Sequence, residues 1–83
     1  MTAEEIFTSI MTQMRVRVLM EHSYGGEEMV SRAKEKIEEL RLQLIDLMPE
    51  ARRDAGTEAL DNDLERLYSH FRAEWDNGTP AWA

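Results

Sequence analysis

Along the middle of the chain the apolar positions step in threes and fours: Val30, Ala33, Ile37, Leu40, Leu44 and Leu47. That is the repeat of a helix burying one stripe, and Glu28, Arg32, Glu35, Lys36, Glu38, Glu39 and Arg41 supply its solvated side. The spacing predicts a second helix over about residues 26–48, with Glu27 and Glu28 suited to the positive end of its dipole. Ser23-Tyr24-Gly25-Gly26 breaks the chain before it, and Pro49 stops or kinks it. Glu28 with Arg32 and Lys34 with Glu38 are spaced to pair one turn apart.

Upstream, Thr2-Ala3-Glu4-Glu5 has the form of a capping box and opens a first helix over about residues 3–22. Ile6, Phe7, Ile10, Met11, Met14 and Val18 share one of its faces. Val16, Leu19 and Met20 lie off that face, so the second half of this helix is apolar nearly all round, which a surface helix is not. The run Met14-Arg15-Val16-Arg17-Val18-Leu19-Met20 also alternates with period two, as a half-buried strand does. A strand followed by two helices resembles the ribbon-helix-helix DNA-binding dimers. The upstream cap, the acidic chain and the length of the second helix favour a continuous helix to about Glu21.

Downstream, Leu60, Leu64, Leu67, Phe71 and Trp75 repeat at steps of four, three, four and four, with Thr57 as cap, predicting a third helix over about residues 57–76. Pro49 to Ala55 fits a short helix closed by Gly56. Asp76-Asn77-Gly78 and Pro80 end the third helix, leaving a short tail at 79–83 with an unexplained Trp82. The expected fold is one all-α domain over 1–83, a three-helix bundle whose second and third helices form the central antiparallel pair. Val16, Leu19 and Met20 on the first helix and Leu42 and Ile45 on the second fall outside the seams. They are the expected protein interface, and a helical homodimer is the expected assembly.

Composition narrows the possibilities. With 83 residues the core is small, and with no cysteine it has no disulfide, thiolate nucleophile or cysteine-held zinc to draw on. Seventeen acids against ten Lys and Arg give a net charge of −7. That disfavours direct binding of nucleic acid or of an anionic membrane surface. No apolar run approaches the roughly 20 residues of a membrane span and no secretory signal is apparent, so a cytoplasmic location is expected.

Candidate chemistry is sparse. Asp54 and the Asp61-Asn62-Asp63 cluster resemble parts of a calcium loop, but neither frame places a glycine at its sixth position. No glutamate stands three residues before His22 or His70, as a di-metal bundle would need. Ser69 and His70 are neighbours on a helix and point about 100° apart, so they do not pair as nucleophile and base. No catalytic residue, metal ligand or cofactor site is expected. Six methionines can fill a core or line an adaptable binding face. The chain reads as a small acidic protein-interaction module: an adaptor, an assembly factor or a regulatory inhibitor acting on a protein partner. An acidic inhibitor that mimics nucleic acid is the alternative, and a ribbon-helix-helix regulator the second.

Overall fold

The computed structural model describes all 83 residues and consists of three helices without any strand: α1 (Ala3–Glu21), α2 (Glu27–Asp46) and α3 (Arg53–Asp76). A single 3₁₀ turn, Glu50–Arg52, leads into α3. Residues 14–20 are helical, so the strand is ruled out and with it the ribbon-helix-helix arrangement. The basic residues of that stretch do not line a strand; Arg15 and Arg17 lie over the Phe71 and Tyr68 rings of α3.

Helix α1 starts where its cap dictates. The Glu5 N–H donates to Thr2 Oγ1 at 3.2 Å and the Thr2 N–H donates to Glu5 Oε1 at 3.1 Å, so two end groups are satisfied reciprocally. The backbone bond from Thr2, then that from its hydroxyl, hold the Glu5 carboxyl below the usual carboxylate range. At the other end Gly25 turns at φ +76°, and Gly26 lies so close to the Met20 carbonyl that a β-carbon there would overlap it. These two glycines let α2 fold straight back along α1.

The third helix departs from the sequence expectation at its start. It begins at Arg53, not Thr57, and the separate short helix over 49–55 is only the 3₁₀ turn. Pro49 starts that turn with φ −57°, and the chain is already helical when it reaches Gly56 and Thr57. Thr57 therefore has no free end to cap, and its hydroxyl donates back to the Arg53 carbonyl at 2.7 Å. Gly56 does not close a helix. It sits within α3 where a β-carbon would lie 2.6 Å from Met48 Sδ, so the missing side chain lets Met48 rest against α3.

The three seams meet in one core: Ile6, Ile10, Met14 and Val18 from α1, Ile37, Leu40 and Leu44 from α2, and Leu60, Leu64 and Phe71 from α3. Leu67 is half-buried against this cluster. The central helix is α1, not the α2–α3 pair. α1 packs along α2 for most of its length and along α3 on another side, whereas α2 and α3 approach each other only locally. The all-round apolar second half of α1 explains why, because a helix with two apolar faces is satisfied by two neighbours. The α2 seam is also shorter than its repeat, since Leu47 lies past the helix end and is 55% exposed. Contacts at both ends give an up-down-up order, with the start of α1, the end of α2 and the start of α3 together.

Ile10 is wholly buried at the centre of this arrangement. Ile10→Ala or Leu40→Ala is expected to cost about 2–5 kcal/mol, while Leu42→Ala on the exposed side stays within about 0.5 kcal/mol. Thermal unfolding followed by circular dichroism reads this at about 4–8 °C per kcal/mol for a chain of this size. Equal midpoints for Ile10→Ala and wild type would contradict the placement of α1.

Candidate functional site

Cutting each helix at its midpoint separates the two ends of the bundle, and the charge divides with them. The end built from residues 1–12 and 37–64 holds ten acids and three bases; the other, residues 13–36 and 65–83, holds seven of each. All of the −7 excess therefore lies on one half of the molecule. Within that half Glu4, Asp46, Glu50, Asp54 and Glu58 make no ion pair. Arg41, its best-engaged cation, spans from α2 to α3, with Nε and Nη2 on the two oxygens of Asp61 at 2.6 and 3.0 Å and Nη1 on Glu38 at 3.0 Å. The bond from Arg41 keeps the Asp61 carboxyl below its ordinary range, against a smaller opposing effect of burial, and Asp61 in turn raises Arg41. Both side chains reach solvent, so this clamp adds at most about 1 kcal/mol.

The acidic half also carries an apolar groove. Phe7 on α1, Leu44 and Met48 at the end of α2, and Gly56, Ala59 and Leu60 on α3 line it, with Glu4 and Asp63 among its polar neighbours. Ala59 is exposed, and Phe7 and Met48 are half-buried against the core below.

Aromatic side chains gather at the opposite end. The His22 ring stacks on Trp75 with centroids 4.7 Å apart and planes 7° from parallel. Its Nδ1 carries the proton, because it lies 2.8 Å from the Val18 carbonyl, which can only accept. Trp82 of the tail packs edge-on against both Phe71 and Trp75, and its Nε1–H donates to Glu74 at 3.0 Å. The tail is thus part of the fold. Arg17 lies 4.0 Å from the Tyr68 ring centre, and the Tyr68 hydroxyl donates to the Glu21 carboxylate at 2.7 Å. Burial, followed by the bond to Glu21, raises the Tyr68 hydroxyl above its usual range.

The residues expected from sequence to form an interface do not fall in one place. Val16, Leu19 and Met20 are half-buried on α1, with Met20 beside Gly26 and Val30 of the α2 start. Ile45 packs against the core. Leu42 is half exposed and points about 170° from the buried α2 stripe at 100° per residue. Ser69 and His70 line a shallow polar depression on the outer side of α3, where the His70 ring lies 3.2 Å from Glu74. No three histidine or acidic side chains converge as a metal site would require. The groove was not legible from spacing, since it draws on three helices and on the register between Met48 and Gly56.

Two outcomes test this description. Trp82→Ala should lower stability by about 1–2 kcal/mol and leave Trp75 more accessible to an aqueous fluorescence quencher; an unchanged midpoint would mean that the tail is not docked. Asp61→Asn should destabilise by less than about 1 kcal/mol near neutral pH. Because the folded Asp61 carboxyl titrates below its unfolded value, that difference is full above the ordinary aspartate range and is lost as pH falls through the lowered folded value. Urea titrations of both proteins across that range check it.

No protein-family model matches this chain, and neither a curated protein nor a solved structure matches it significantly.

Proposed function

We propose that this protein is a protein-interaction module, an adaptor or regulatory inhibitor whose acidic half engages a basic surface on a protein partner. The observation that carries this reading is the segregation of the whole net charge to one end of the bundle, with several carboxylates there left without a cation. A field of one sign on a small rigid body steers association and rejects acidic competitors. The same segregation favours a second reading, in which the carboxylates stand in for phosphates and the partner is a nucleic-acid-binding protein held away from its normal target.

Capture of partners from the native host by the immobilised chain, identified by mass spectrometry, supplies the test. Affinity for the captured partner should fall at least about tenfold between low and high salt, as expected when solvent-exposed charges that salt screens carry the attraction. Asp54→Asn with Glu58→Gln should weaken it, and Glu27→Gln with Glu28→Gln on the balanced half should not. Insensitivity to salt and to all four changes would overturn the reading. Competition by oligonucleotide for the same partner separates the second reading from the first.

Self-association belongs to the same proposal, through Leu42 and the parts of Val16, Leu19 and Met20 left uncovered on α1. A homodimer at micromolar concentration is the expected state in sedimentation equilibrium. A monomer at tens of micromolar that Leu42→Glu does not change would remove the dimer.

A further inference from the structure

We infer that the apolar groove of the acidic half is the seat of a basic amphipathic helix contributed by the protein partner, an assignment that rests on the protein-binding reading above. The groove has the chemistry of a core left one helix short. Its lining combines Phe7, Leu44, Met48 and Leu60 with Gly56 and Ala59, so bulky side chains form a floor while small ones let another backbone approach closely. Met48 lies across Gly56, and a thioether held against a bare backbone can repack around different apolar anchors without disturbing a helix.

Charge decides which occupant fits. Glu4 and Asp63 stand at the groove itself, and the half that carries it has ten acids against three bases. An apolar stripe flanked by acids would be repelled there, and one flanked by Lys and Arg would be held. The same argument excludes a second copy of this chain from the groove. Two acidic halves placed face to face repel, and the other half of the molecule, with seven acids and seven bases, offers no net positive charge. An amphipathic segment with apolar residues on one face and lysine or arginine on the other satisfies both requirements.

The probe is a synthetic helical peptide of about five turns, with leucine at one face and lysine elsewhere, titrated into the ¹⁵N-labelled full chain. Two controls accompany it: a peptide of the same composition in shuffled order, and one with glutamate replacing lysine. The largest shifts are expected at Phe7, Leu44, Met48, Ala59 and Leu60, with both controls at least about tenfold weaker. Ala59→Arg, at an exposed helix position, should weaken the lysine peptide by about tenfold, whereas Asn62→Arg, the same change of charge at an exposed position on the outer side of α3, should not; circular dichroism confirms that both variants fold. If the shuffled peptide binds equally well, or both arginine variants weaken it alike, charge alone is responsible. The groove assignment then fails, and the protein-binding reading stands. Shifts centred on the aromatic end, or no binding of any peptide, also overturn the assignment, while partner capture by the acidic half decides the broader reading separately.

Discussion

Everything in this fold depends on one helix being covered on two sides. The residues Ile6, Ile10, Met14 and Val18 of α1 are the most deeply buried row in the molecule, and both other helices are held through them. A chain of this length leaves little apolar area to spare, and stability comes from whichever element contacts the most others. With α1 in that position, α2 and α3 need meet only at a few points. The Arg41–Asp61 clamp bridges them at the surface and adds little stability.

The central place of α1 also determines what the two ends can do. Because α1 and α3 run the same way and α2 runs back along α1, sequence regions far apart are sorted into two chemically different halves. One collects the aromatic rings, with arginines lying over Phe71 and Tyr68 and the tail folded over Phe71 and Trp75. The other collects the excess carboxylates around an apolar groove. The first half resembles a closed core end, with its rings stacked on each other; the second leaves apolar surface open to solvent among charges of one sign. The proposed recognition surface is the second, which offers both a burial site and a field to guide a partner to it.

Much of this was legible in the sequence where the signal is local. The capping box at Thr2 and Glu5, the paired-glycine break and the seams at Ala33 to Leu44 and Leu60 to Phe71 were all readable from spacing, because each rests on contacts within one turn or one helix. What spacing cannot reveal is which seams face each other. Val16, Leu19 and Met20, expected at a protein interface, are half covered within the chain itself; periodicity records that a side chain needs burial, not what buries it. Thr57 and Gly56 carried good end signals that were overridden because Pro49 had already set the helix going. Trp82 had no periodic neighbour to explain it, its partners Phe71, Glu74 and Trp75 lying across a turn. The net charge of −7 is legible in the sequence, but its segregation to one end appears only once the helices lie side by side.

Native-state hydrogen exchange tests the central claim most directly. If α1 is the element that the others depend on, its amides from Ile10 to Val18 exchange only through global unfolding and are the slowest in the protein, with the outer turns of α2 and α3 opening first. An α1 that exchanges ahead of a protected α2–α3 pair would contradict the account, and would return the core to the two helices whose seams are most regular in sequence.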